Sequence, residues 1–307
     1  RRILRATGRE PGEMLNGVLS NRLPESLSGA GEPREGTVLY SAVLTNKGKM
    51  VTDLRISRDP GGGFLLDLPA EGAEGALAHF KKFLPPRLVE VEDQSQELSV
   101  VTVVGPAGPT YLSKVWSDLG LEMSINELAG LTEGDERVWR LPDGGHVAVL
   151  ACGDLGPDQR DLIVPEALGS KLLEGLRAGG ADPLSETARE TLRVEAGRPV
   201  FGRDMDQQTI PVEAGIHRRA IDDGKGCYVG QEVIIRIRDR GHVNRRLRGL
   251  LMGGGPVPEE GTELYKEDRE QAVGWVTTAL FSPRFGENAG FGYVRRGVEG
   301  QEVVRLG

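Results

Sequence analysis

Cysteine is scarce in this chain, with only Cys152 and Cys227 among 307 residues. No CxxC pair occurs, and the four histidines, His79, His146, His217 and His242, are scattered, which argues against a structural zinc site. A disulfide between two such distant cysteines is not expected in a reducing compartment. Long apolar runs are also missing: none approaches the roughly 18 to 20 residues that span a bilayer as a helix. The start, Arg1-Arg2-Ile3-Leu4, has too short an apolar part for a signal peptide and no initiator Met, so trimming there and a cytoplasmic location are the simplest expectations. Net positive charge is absent. At -8 the chain lacks the basic field that general binding of nucleic acid requires. Low-complexity tracts and short-period repeats are lacking as well.

What is present fits a soluble globular protein of two or three domains, with 38% hydrophobic and 27% charged residues. Glycine and proline fall in clusters such as Asp59-Pro60-Gly61-Gly62-Gly63 and Pro142-Asp143-Gly144-Gly145, which separate strand-like runs at 36–44, 51–57, 64–68, 88–92, 98–104 and 146–152. Their hairpin spacing predicts antiparallel sheet. Apolar residues at helical spacing mark 71–84, 112–119, 165–178 and 185–195. Ser185 suits an N-cap, although Ala188 leaves the capping box incomplete. Strands and helices mix without βαβ alternation, so α+β layers are expected. Beyond residue 246 the pattern is all strand, at 247–252, 262–266, 272–278, 290–294 and 302–305, which predicts a small closed barrel beginning near 241.

One stretch combines a thiol, a cation and flexible backbone: Lys225-Gly226-Cys227-Tyr228-Val229-Gly230-Gln231-Glu232. Thiolate is the reactive form of cysteine, and a nearby cation favours it. The glycines permit positive φ or close approach of a ligand. Read alone, Cys227 fits a small buried hydrophobe at least as well as a working thiol. The following segment, 231–239, is rich in β-branched residues, yet Val233, Ile234 and Ile237 lie on one helical face, so a helix is predicted. His217-Arg218-Arg219, Lys225, Arg236, Arg238, Arg240, Arg245, Arg246 and Arg248 crowd the same region. Inside an acidic chain this favours a small anionic ligand over a long polyanion, with a solvated, acid-paired face as the plain alternative.

All eight positions from Lys225 to Glu232 resemble the signature of the YgfZ-type folate-binding proteins, relatives of the glycine-cleavage T-protein (aminomethyltransferase). Leu192-Arg193-Val194-Glu195-Ala196-Gly197 with Pro211-Val212-Glu213-Ala214-Gly215 is similar to the central T-protein segment. Gly48-Lys49-Met50-x-x-Asp53-Leu54 resembles the hairpin below the folate cavity, and Gly274-Trp275-Val276-Thr277-Thr278 with Gly292-Tyr293-Val294-Arg295 the terminal barrel.

The resemblance implies a three-domain ring: two related α+β domains, the first discontinuous (1–36 with 108–240), the second at 37–107, and a C-terminal Greek-key β-barrel at 241–307. Tetrahydrofolate, or a one-carbon derivative, is expected in the central opening. A pterin edge offers two donors spaced for one carboxylate; Glu195 is the first choice for that grip and Glu213 the second. Lys225 and the arginines from Arg236 onward are expected to receive the glutamyl carboxylates, and Tyr228 either stacks on the ligand or fills a core.

Asp53 is the surviving member of a motif that carries paired aspartates in the transferases, with Thr52 in the other position, so acid/base work remains open. Cys227 and Lys225 are expected to face the reactive end of the folate. The resemblance implies an accessory protein for iron-sulfur cluster assembly or repair, and through it tRNA-modifying enzymes. A folate-dependent aminomethyltransferase is the alternative, and direct tRNA binding is a less favoured third.

Overall fold

In the strand running through residues 50–58, every side chain from Met50 to Ser57 is buried, so both of its faces are covered. The computed structural model describes residues 1–29, 31–118, 124–266, 271–298 and 305–306. In chain order its elements are β1 (Arg2–Thr7), α1 (Pro11–Asn16), β2 (Arg34–Thr37), β3 (Leu39–Leu44), β4 (Met50–Arg58), β5 (Phe64–Leu68), α2 (Ala70–Phe83), β6 (Glu90–Asp93) and β7 (Leu98–Val103). There follow α3 (Gly108–Asp118), α4 (Ile125–Gly130), β8 (Asp135–Arg140), β9 (His146–Ala151), β10 (Arg160–Pro165), α5 (Glu166–Ala178) and α6 (Glu186–Glu195). The rest are α7 (His217–Ala220), α8 (Gln231–Arg240), β11 (Arg245–Leu251), β12 (Glu263–Tyr265), β13 (Ala272–Ser282), β14 (Glu287–Arg295) and β15 (Arg305–Leu306).

The strands form three antiparallel sheets, ordered β3-β4-β5-β1-β6, β2-β8-β9-β10-β7 and β11-β14-β13-β12-β15. The first two belong to the two α+β domains and the third to the C-terminal β-barrel, as expected. Strand pairing does not follow the division expected at 37–107: β1 lies between β5 and β6, whereas β7 pairs with β10 and β2 with β8. Alternation along a strand reveals faces but not partners, and these pairings close loops of dozens of residues. Residues 201–234 join neither sheet and instead pack Phe201, Met205, Ile216, Tyr228 and Ile234 on Ala42, Leu44 and Met50. The strand expected at 302–305 falls largely outside the described residues, as does the end of the helix expected at 112–119.

Helices cover one face of each α+β sheet. Phe80, Ala73 and Ala76 of α2 meet Leu54 and Ile56 of β4 in one core; Leu112 and Trp116 of α3 and Leu172 of α5 meet β9 and β10 in another. The opposite faces of the two sheets pack on each other through Ile3, Leu65, Val138, Leu150, Cys152 and Ile163. Cys152 is therefore a core residue, and burial pushes its thiol well up.

Part of the layer between the sheets is polar. Because side chains alternate along β4, Thr52, Leu54 and Ile56 share the α2 side while Asp53, Arg55 and Ser57 point toward the second sheet. Arg55 is held by Asp67 of β5 and Asp161 of β10, the latter at 2.5 Å. Glu136 of β8 is fully buried near Ser57 and Arg58, and both its oxygens lack a well-formed hydrogen bond. Burial pushes its carboxyl up to about 8, and Ser57, the Arg58 main chain and Arg34 offset this only in part. A folded-state value above the unfolded one means stability is full below about 4.5 and is lost as pH rises through about 8. Glu136→Gln removes that dependence: the wild-type melting temperature should fall between about pH 5 and 9, and the variant's should fall distinctly less over the same range.

Candidate functional site

Asp53 hangs from β4 toward the second sheet, 7% exposed. Tyr40, on the neighbouring β3, donates its hydroxyl to Asp53 Oδ2 at 2.7 Å, and Oδ1 is buried with no hydrogen-bond partner among the described residues. Burial raises the Asp53 carboxyl above the usual carboxylate range; the Tyr40 hydroxyl and Arg1 pull it down, and Asp154 pushes it up. Burial and the adjacent Asp53 likewise hold the Tyr40 phenol well above its ordinary value. Thr52 lies on the α2 side, beside Gly72, so a threonine there leaves the Asp53 face unaltered. In Tyr40→Phe the loss of the donor should move the Asp53 titration further upward, observable by carboxyl ¹³C NMR; an unchanged or lower midpoint would contradict this geometry.

Behind Tyr40 stands Arg219, its guanidinium 4.6 Å from the Tyr40 ring centroid. Arg219 donates to Glu133 at 2.9 Å and to Asp154 at 3.3 Å. Glu133 also accepts from Arg198 at 2.7 Å. This network runs from Asp53 to the wall of a cavity of about 670 Å³ that Glu133, Arg198, Arg160 and Glu195 line. Leu155 forms a wall shared with a second cavity of about 520 Å³, where Arg1, Arg55, Asp154 and Asp161 converge.

Glu195 is the last residue of α6, whose first turn Ser185 caps by accepting from Ala188 N at 3.1 Å. Its Oε1 accepts from Ser282 Oγ at 2.5 Å and from Arg284 N at 3.2 Å. The tight turn after β13, closed by Gly286 at φ +72°, aims both donors at the carboxylate. Oε2 makes no hydrogen bond with a described residue. A pterin edge meeting both oxygens would thus find Oε1 already engaged by the barrel, a division of the carboxylate that sequence reasoning did not anticipate.

The other expected site residues are placed elsewhere. Glu213 accepts from Arg245 Nε and from Ile210 N, each at 3.3 Å. Arg245 in turn stacks on Tyr293 at 4.6 Å and on Trp275 at 5.4 Å, so Glu213 fastens the barrel rather than lining the Glu195 cavity. Lys225 Nζ donates to three main-chain carbonyls, those of Asn16, Leu19 and Asn21, at 2.8, 2.6 and 2.8 Å. Its ammonium has three N–H groups, so it acts as a clamp on the turn after α1 and is not positioned to activate the thiol; burial lowers it to about 8. Tyr228 is buried in the core against β3 and β4, with Lys225 5.4 Å from its ring, and fills space rather than facing a ligand. Arg236 pairs with Glu232 one helical turn away on the exposed side of α8.

Cys227 is exposed and unpaired in any disulfide. The cavity that Glu195 lines does not reach it, so the expected single opening shared by carboxylate and thiol is not found. Tyr40, Ser282 and Arg284 were not singled out by sequence reasoning, and Arg219 entered only as one of a crowd of basic residues. Among the described residues no cluster of His, Cys, Asp and Glu suits a metal ion.

Residues 4–222 match the family model described as the GCVT N-terminal domain, and residues 245–305 the glycine cleavage T-protein C-terminal barrel domain. A protein of Thermosynechococcus vestitus named aminomethyltransferase is 31% identical over 283 residues, covering 92% of this chain and 72% of the relative. Another of that name from Rubrobacter xylanophilus is 30% identical over the same shares. The solved glycine cleavage system aminomethyltransferase T of Bartonella henselae superimposes with a TM-score of 0.76 at 21% identity, covering 99% of this chain and 79% of that one.

Proposed function

The chain belongs to the glycine cleavage T-protein family, and on that premise we propose that it is a tetrahydrofolate-binding accessory protein. In this reading it supports iron-sulfur cluster assembly or repair in client enzymes, and through them tRNA modification, with Cys227 as its working thiol.

The observation that carries the folate part is Glu195. It lines an open cavity of about 670 Å³, with Oε1 anchored by Ser282 and Arg284 and Oε2 without a described partner. An anchored carboxylate with a spare oxygen can accept an N–H of a pterin edge through Oε2. Glu195 would hold that edge, with Arg198 and Arg160 in the same wall. Bound there, tetrahydrofolate supplies a nitrogen that carries a one-carbon unit. Cys227 supports the accessory role by its exposure on a loop that Lys225 fixes, where a client protein can reach it.

Titration with tetrahydrofolate and its methylene form tests the binding part; no saturable binding of either removes it. For the thiol, Cys227→Ala should bind folate as the wild type does yet fail to restore iron-sulfur enzyme activity in a cell depleted of this protein. Full restoration would remove Cys227 from the mechanism.

A second reading, an aminomethyltransferase, is favoured by one feature: Asp53 is a buried carboxylate of raised pKa that accepts the Tyr40 hydroxyl. Such a group gives up a proton less readily than a free carboxyl and can exchange one with a bound nitrogen. Turnover of a lipoyl-carried methylamine donor with tetrahydrofolate, lost in Asp53→Asn, would establish it.

A further inference from the structure

Arg246 and Arg248, expected from the sequence to receive glutamyl carboxylates of a folate, do not line the Glu195 cavity; they belong to a cluster of arginines between α8 and β14. Elsewhere several guanidiniums are matched to carboxylates: Arg55 to Asp67 and Asp161, Arg193 to Glu190 and Asp204, Arg219 to Glu133 and Asp154. At the open end of the barrel the pattern reverses. Arg246 and Arg248 share one side of β11, two residues apart, and β14 runs beside them, with Arg246 opposite Val294 and Arg245 opposite Arg295. Arg246, Arg248, Arg295 and Arg296 line one cavity of about 410 Å³, which no described carboxylate enters. Arg296 Nη1 lies 2.5 Å from His242 Nε2; the guanidiniums of the other three make no ion pair or hydrogen bond with a described residue.

A second cavity of about 260 Å³ adjoins the first, sharing His242 and Arg246. Its one carboxylate, Asp223, is paired with Arg238 at 2.8 Å. The pair of cavities thus concentrates guanidiniums that no described carboxylate in the lining of the first cavity pairs, inside a chain whose net charge is -8.

Like charges brought together around a concavity repel, and an anion that bridges them offsets that repulsion. Guanidinium forks match the paired oxygens of phosphate and carboxylate groups. The combined space suits a small molecule. A long polyanion would have to approach against the field of the acidic remainder.

We infer that this cleft at the α8–barrel junction is a binding site for a small polyanion, a molecule bearing two or more phosphate or carboxylate groups, held by Arg246, Arg248, Arg295 and Arg296. The cleft shares no lining residue with the cavity of Glu195, so the inference stands or falls independently of the proposed folate site.

Isothermal titration of the full chain at low and physiological salt tests it, with inorganic tripolyphosphate and tri-γ-glutamate as probes and a short single-stranded RNA as third arm. Saturable one-to-one binding of either small anion, weakened about tenfold or more in Arg246→Gln/Arg248→Gln, supports the site. The preferred probe then tells a phosphorylated ligand from a polyglutamyl one. Should the double variant fail to fold, Arg295→Gln/Arg296→Gln, on exposed side chains, serves the same comparison. Absence of binding by both small anions, binding unaltered in the variants, or RNA binding tighter than either would overturn it.

Discussion

Replacing Arg193 by methionine should lower the free energy of unfolding by about 3 to 5 kcal/mol, the range seen when one partner of a buried ion pair is removed. Arg193 sits where α6, the 198–205 segment and the barrel meet. Its Nη2 donates to Glu190 at 2.7 Å, and Nη1 to Asp204 at 2.6 Å and to the Arg198 carbonyl at 2.8 Å. Asp204 is completely buried and also accepts from Thr277 and Thr278 on β13, at 2.8 and 2.7 Å. Methionine fills much of the space yet leaves that carboxylate charged and without its cation. Arg193→Met/Asp204→Asn should therefore recover much of the loss, because no isolated charge remains. Arg193→Lys should recover less, since an ammonium does not reproduce the planar fork. Denaturant unfolding of wild type, Arg193→Met, Asp204→Asn and the double variant provides the cycle, with Arg193→Lys beside it; an Arg193→Met variant within about 1 kcal/mol of wild type would show that the network contributes little.

Glu195→Ala should weaken tetrahydrofolate binding by about ten- to a hundredfold, the scale of losing charge-assisted hydrogen bonding to a carboxylate. Glu195→Gln should fall between, retaining shape but offering one of the pterin donors an N–H. The turn after β13 makes a further distinction possible. In Ser282→Ala the carboxylate remains but loses its hydroxyl anchor, so affinity should drop by about tenfold or less and recover in Ser282→Thr. Calorimetric titration reads all four, with circular dichroism as the check on folding. Equal affinity in wild type and Glu195→Ala would move the ligand elsewhere.

Much of the architecture could be read from local pattern. The helix over 71–84 is observed as α2 at Ala70–Phe83, and Ser185 caps α6 although the second half of its capping box is missing. The β-branched run before Arg240 forms α8, as its one-sided apolar spacing indicated, and tertiary packing of Ile234 overrides its strand propensity. What escaped were consequences of long-range pairing. On β4 the alternation of Asp53, Arg55 and Ser57 with Leu54 and Ile56 looks like a strand with one wet face; the wet face is instead covered by a second sheet and its charges are matched there. The same non-locality hid Ser282 and Arg284, which reach Glu195 from nearly ninety residues away along the chain. Lys225 shows a different limit: proximity to a thiol in sequence suggested activation, whereas the folded chain turns its ammonium to three carbonyls.

That clamp also orders events during synthesis. The carbonyls of Asn16, Leu19 and Asn21 leave the ribosome some two hundred residues ahead of the ammonium that satisfies them, and Ser20 awaits Ala220 in the same way. Contacts of such high sequence separation form late. The nascent turn after α1 must therefore be solvated while most of the chain is made, and the loop that displays Cys227 is among the last parts of the protein to acquire its shape.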